Sequence, residues 1–287
     1  MPELVGDTAA VVGEGPLWSS DDTLWWVDIL GHKLNRFDPK TGANTTEFEH
    51  EHQNVAFVLE DASGDFLVGL NRTIHRFSGG SLSSEPMFEV IKPTVEMSLN
   101  DATVDPDGNL WVGVYEKDRA HREGSLWRIS PAGEVSQAAG GLTLPNGIAF
   151  SPDATEMYLA DSFEYSILAF DIDLTSGRLS EPRPIWRDES KGLPDGLCVD
   201  IDGNIWVAFW GGSCIRALRS DGSQTDHVDF PVTQVSSCAF APDGWLYATS
   251  ARAFLEEEDL AAQPLAGGLF RVHLGVDGSP VTRFGAS

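Results

Sequence analysis

The chain has 287 residues, enough to bury a large core as one domain or two smaller ones. Its 44 acidic residues against 19 basic ones leave a formal net charge of −25. Such a surface repels nucleic acid and anionic membranes, which excludes both as partners. No apolar run approaches the roughly 18 residues of a membrane span, and the N-terminal MPELVGDTAAVVGEG lacks the basic and apolar regions of a secretory signal. Three cysteines, Cys198, Cys214 and Cys238, form no CxxC pair, so a reducing cytoplasm is the expected location. The dense carboxylates and scarce lysines also suit a high-salt habitat.

Along the chain, a turn followed by an apolar strand recurs six times. The copies are SSDDTLWWV from residue 19, DASGDFLVG from 61, DPDGNLWVG from 105, SPDATEMYLA from 151, DIDGNIWVA from 200 and APDGWLYAT from 241. The first apolar residues after these turns are Leu24, Phe66, Leu110, Met157, Ile205 and Leu246, spaced by 42, 44, 47, 48 and 41 residues. Each unit then adds a third strand ending in its own turn, as in KLNRFDPKTG, TIHRFSGG or CIRALRSDG. Weaker fourth strands follow, such as TTEFEH and VSQAAG. Four short antiparallel strands at this period are the mark of a propeller blade. The expectation is therefore an all-β fold: a six-bladed β-propeller with four-stranded antiparallel blades around a central channel, forming a single domain over residues 1–287. A β-sandwich with coincidental turns would not repeat six times in phase. Residues 3–12 are expected to add a strand to the last blade. A closed propeller needs no partner to cover its sheet edges, so a monomer suffices, and the sequence leaves the oligomeric state open.

The innermost strand of each blade lines the channel, so equivalent positions on six inner strands form a ring. Ten residues before the aligned apolar positions stand Glu14, Ala56, Asn100, Asp195 and Ser236. In the fourth unit the turn is one residue longer, and the match is Asn146. Two carboxylates and two amides thus share one level, with no Lys or Arg in the ring to neutralise them. A buried carboxylate is costly unless it is paired or bound to a cation. Oxygen donors of this kind suit Ca²⁺, Mg²⁺ or Mn²⁺. The alternative is a solvated channel whose polar residues bond only water. Glycine follows the ring residue at Gly15, Gly147 and Gly196, as close backbone approach requires.

Glu14 in VGEGPLW, Asn100 in LNDATVDPDG, Asn146 in LPNGIAFSPD and Asp195 in LPDGLCVDIDGNIWVA together resemble the senescence marker protein/regucalcin and gluconolactonase family. The similarity extends through WWVDI, IHRF and YSILAFDID. The stretch SARAFLEEEDLAAQPLAGGLFRV looks like the sugar-lactonase branch, close to xylonolactonases. The resemblance implies one divalent cation held by Glu14, Asn146 and Asp195, a substrate contact at Asn100, and hydrolysis of a small-molecule sugar lactone to its aldonic acid. Many relatives carry Arg two residues before that Asn, as a substrate contact; here the position is Ser98. Losing a bidentate donor there points to a different ring substituent or acyl chain. Which cation is resident stays open among Ca²⁺, Mg²⁺, Mn²⁺, Zn²⁺ and Fe²⁺, because availability decides between them.

In the chemistry expected, the cation polarises the lactone carbonyl and activates water, while Asp195 either helps deprotonate that water as ligand and general base together or only holds the metal. Two other readings remain: a related metal-dependent hydrolase of organophosphates or non-sugar lactones, and a non-catalytic calcium-binding propeller. Glu116, in the loop YEKDRAHREG at 115–124, overhangs the channel mouth as a candidate substrate contact, against the alternative of a solvated loop. Trp210 and Arg252 each follow an outgoing strand and belong either to that face or to the packing. Asp101 is expected to point away from the axis by strand alternation. Cys198 reads as a packed thiol. No GxSxG supplies a serine nucleophile, and the seven histidines show no HExxH spacing.

Overall fold

A computed structural model describes residues 1–91, 96–117 and 121–286. It contains six small antiparallel sheets arranged as a six-bladed β-propeller. The first blade shows the pattern, with strands Gly13–Trp18, Leu24–Asp28, Lys33–Asp38 and Ala43–Glu49 running from the channel to the surface. Its second strand is buried throughout, because it is sandwiched between blades, whereas its fourth is largely exposed. The apolar runs seen in the sequence are these sandwiched strands.

Two of the recurring turns share one construction. In DPDGN the buried Asp105 carboxylate accepts N–H bonds from Asp107 at 3.0 Å, Asn109 at 2.8 Å and the Trp111 indole at 2.8 Å. Asp200 in DIDGN receives Asp202, Asn204 and Trp206 in the same way, at 3.0, 2.8 and 2.8 Å. One side chain thus satisfies the turn and pins the tryptophan of the following strand.

Two fourth strands are broken. In the second blade the outer strand is reduced to Ser81–Leu82 and Phe88–Glu89, and in the fourth it is split into Arg178–Leu179 and Arg183–Arg187. Pro86 and Pro182 fall in the gaps, where a missing N–H cannot join the ladder. The ring closes through Glu3–Gly6, which pairs with Leu269–His273 as the outermost strand of the last blade.

The end of the chain makes a further closure that the repeat does not foreshadow. Residues 277–286 cross the channel at the face opposite the ring. Ile201 N donates to Asp277 O at 3.0 Å, Ser279 N to Val199 O at 2.9 Å, Phe284 N to Glu60 O at 2.9 Å and Gly285 N to Gly108 O at 2.9 Å. This strap ties blades 5, 2 and 3 together and is anchored by the buried Phe284, whose ring meets Phe88 edge-on at 5.8 Å. Above it lies a cavity of about 320 Å³, bordered by the inner strands and by Gly278–Thr282. Phe284→Ala should cost about 3 kcal/mol of stability, read by denaturant titration; a loss under about 1 kcal/mol would mean that the strap is not anchored there.

Candidate metal centre

All six inner strands break register at the ring level. Glu14 pairs with Val27 but Leu17 with Trp25; Leu99 pairs with Val114 but Ala102 with Val112. The same single-residue excess occurs at Val55/Phe57, Pro145/Ile148, Pro194/Leu197 and Val235/Ser237. Each is a β-bulge, which re-aims side chains and bends the strand. The ring residues Glu14, Ala56, Asn100, Asn146, Asp195 and Ser236 all sit at these bulges.

Close approach between neighbouring blades explains two of the glycines. A Cβ on Gly147 would lie 2.5 Å from Asp195 O and Leu197 N, and one on Gly196 would lie 2.7 Å from the Ser237 Cα. No side chain fits at either place.

Hydrogen bonds stitch the ring across blades. Asn146 Nδ2 donates to Asp195 Oδ1 and, at 3.3 Å, to Ser162 Oγ. Ser162 Oγ in turn donates to Pro194 O at 2.7 Å. Asn100 Nδ2 donates to Pro145 O at 3.1 Å, Glu14 Oε2 accepts Gly15 N–H at 3.1 Å, and Ser236 Oγ donates to Gly13 O. Glu14, Asn146 and Asp195 are all buried. The structure therefore brings these three together, with Asn100 in the adjoining position.

The electrostatics are lopsided. Burial pushes the Glu14 carboxyl well above its ordinary range, and the charges of Asp195 and Asp101 push it further. Asp195 is raised for the same reasons, first by burial and then by Asp101. Among the described residues, no Lys, Arg or His forms an ion pair with Glu14, Asp101 or Asp195.

Asp101 corrects an expectation. Strand alternation placed it away from the axis, but the bulge sets Asn100 and Asp101 together opposite Gly113. Asp101 borders the channel cavity, its Oδ1 accepts Ala102 N–H at 2.8 Å, and burial raises its pKa to about 6. Strand alternation could not reveal this, because it assumes a regular ladder.

Ser98 is buried, and its hydroxyl donates to Asn71 O at 3.1 Å, a carbonyl of the neighbouring blade. Glu116 ends the second strand of the third blade, at the ring-side mouth, and accepts His121 N–H at 2.8 Å with His121 Nδ1 at 3.0 Å. Residues 118–120 of its loop lie outside the described residues. Cys198 packs its sulfur 3.6 Å from that of Cys238, and burial raises its thiol pKa, which suits a packed thiol rather than a nucleophile.

The donor set fits a hard divalent cation. Glu14 Oε1 and Asn146 Oδ1 accept no hydrogen bond among the described residues, and two buried carboxylates await a countercharge. No group of three or more His, Cys, Asp or Glu is arranged to hold a metal among the described residues, so a cation held by Glu14 and Asp195 would take the Asn146 amide oxygen as a further donor.

Residues 12–252 match the SMP-30/Gluconolactonase/LRE-like region. The chain belongs to this family. It is 33% identical to pentonolactonase XacC of Haloferax volcanii over 97% of this chain and 96% of that one. It is 30% identical to regucalcin of Gallus gallus over 97% and 96% of the two chains. In fold it follows a calcium-binding protein, regucalcin, from Agrobacterium tumefaciens, with a TM-score of 0.93 at 24% identity over 100% and 98% of the chains. No helix among the described residues is long and apolar enough to cross a membrane.

The raised Asp101 carboxyl makes a linkage prediction for this family member. An acid whose folded pKa exceeds its unfolded value adds stability below the unfolded value of about 4, and that stability is lost as pH rises through about 6. In chelator-treated protein, Asp101→Asn should therefore be more stable than wild type at pH 8, by at most about 3 kcal/mol, with the gain vanishing near pH 4. Denaturant midpoints across pH check it; a gain that does not change with pH would place the carboxyl in solvent.

Proposed function

We propose that this protein is a divalent-cation-dependent hydrolase that opens sugar lactones to aldonic acids. The observation that carries the reading is the pair of uncompensated carboxylates, Glu14 and Asp195, buried beside Asn146 at the ring-side end of a channel. The family membership and the relative named pentonolactonase support it.

Glu14, Asn146 and Asp195 would hold the cation, which when bound supplies Lewis acidity toward the lactone carbonyl and makes water easier to deprotonate. The protein's own groups do the rest. Asn146 uses its amide N–H bonds on Asp195 and Ser162, which orients its carbonyl oxygen as the donor and holds one Asp195 oxygen in place. The Asp195 carboxylate takes a proton from the attacking water at Oδ2, the oxygen not engaged by Asn146. Water oxygen then bonds to the carbonyl carbon, the ring C–O bond breaks, and the proton passes to the departing ring oxygen as a hydroxyl. Asn100, tethered to Pro145 O through its nitrogen, keeps a carbonyl oxygen for a substrate hydroxyl. The strap across the opposite face leaves the ring-side mouth as the route for substrate.

Proton release from aldonolactones, corrected for spontaneous opening, tests the proposal. Chelator-stripped protein should lose at least 100-fold in rate and regain it with one or more of Ca²⁺, Mg²⁺, Mn²⁺, Zn²⁺ or Fe²⁺. Asp195→Asn should lose about 10³-fold in kcat, and Glu14→Gln should weaken cation affinity by about tenfold or more. Cation binding without turnover on any lactone would turn the assignment toward phosphoesters, and failure there toward a non-catalytic calcium-binding propeller.

A further inference from the structure

The mouth above the ring carries three side chains that neither packing nor the ring accounts for. Trp210 ends the second strand of the fifth blade, paired with Leu193 and bridged to Gln234. Those two residues each stand two positions before a ring residue, Asp195 and Ser236. Trp210 is therefore about 7 Å mouthward of the ring.

From the last blade, residues 251–254 arch over the same place. Ala251 N donates to Gln234 O at 3.0 Å, and Ala251 bridges Val12, two positions before Glu14. Arg252 N donates to Ala10 O at 3.2 Å and Val11 O at 3.1 Å. Phe254 then reaches the fifth blade, with its ring 6.4 Å from that of Trp210. The arch thus runs from blade 1 to blade 5 above the ring. It is held beyond by Leu255 and Leu260, packed against the core, and by Gln263, whose side chain accepts Thr233 N–H at 2.6 Å.

Two features of this arch call for a ligand. Phe254 is 81% exposed and holds φ at 63°, a left-handed conformation that a bulky residue adopts only under constraint. A phenyl ring held in that way and left in solvent gains nothing from folding. Arg252 is half-buried, and its guanidinium makes no hydrogen bond or ion pair among the described residues. This is despite four acids at 256–259, in a chain of net charge −25.

We propose that Trp210, Phe254 and Arg252 form the face that binds the part of the substrate remote from its carbonyl and so set its specificity. The aromatic pair takes the C–H face of a sugar ring or chain. Arg252 donates to the hydroxyls at its edge, and its fork of N–H groups suits two neighbouring oxygens. The substrate class is then a polyhydroxylated lactone whose hydroxyl-bearing end projects from the mouth. This deepens the lactonase reading and rests on it.

The test compares kcat/KM for a hydroxylated pentonolactone or hexonolactone with that for unsubstituted γ-butyrolactone, in the metal-restored enzyme. Arg252→Gln should lower the ratio about tenfold, chiefly by raising KM for the hydroxylated substrate, and Arg252→Lys should recover part of it. Phe254→Ala, a change at an exposed position, should lower the same ratio, and Trp210→Leu should do so with it. Calorimetric titration with the aldonate product should weaken in parallel about tenfold for Arg252→Gln, while thermal midpoint and cation affinity stay as in wild type. Turnover with an unchanged ratio and unchanged aldonate affinity in Arg252→Gln and Phe254→Ala would overturn this inference and leave the lactonase reading standing. No turnover by wild type on any lactone with any cation would remove that reading and this inference with it.

Discussion

Glu14 and Asp195 share one level of the channel, Asp101 lies close by, and no described Lys, Arg or His neutralises any of them. Bringing like charges together inside a protein raises the energy of the ionised forms, because little water remains to screen them. Three devices hold them there: a bulge in every inner strand, glycines that let neighbouring blades touch, and hydrogen bonds that run from blade to blade. The carboxylates could relax only by taking protons or by gaining a cation. The fold therefore stores an affinity for positive charge at one end of its axis, in a chain whose surface is strongly acidic as well.

The bulges link this electrostatic arrangement to the fold. A regular strand alternates its side chains, so a ring residue and its successor would face opposite ways. One extra residue at the same level in six strands changes the aim of both without disturbing the ladders above and below. Repetition makes the device economical: a single blade plan, copied, yields a ring whose chemistry varies only by substitution. Ala56 and Ser236 are the same position with its chemistry removed or reduced. At the ring position itself only the first and fifth blades carry a carboxyl, with Asp101 of the third blade one residue further along.

The two faces of the propeller are built differently. On one, the C-terminal strap runs from blade to blade and closes the channel, with Phe284 as its anchor. On the other, residues 251–254 arch over the ring from blade 1 to blade 5. The strap and the proposed recognition surface thus lie at opposite ends of the same axis. This fits a site that needs rigid donors below and a shaped, partly polar surface above.

The propeller, its blade count and the ring were legible in the sequence because they are periodic: six turns in phase put Glu14, Asn100, Asn146 and Asp195 at equivalent places. Even the glycines after ring residues could be read there, since a residue without a side chain in a repeated position signals close approach. Periodicity says nothing of what breaks it. A regular ladder would point Asp101 away from the axis, and nothing in the sequence around Ser98 signals that its hydroxyl bonds to Asn71 of another blade. The strap and the arch belong to no repeat; they join residues separated by most of the chain, such as Phe284 with Glu60 and Arg252 with Ala10. Local pattern thus determined which residues share a level, since equal spacing in a repeat is equal height in the fold. Only the tertiary structure decided which way they point and what closes over them, since those depend on contacts between blades that no local pattern encodes.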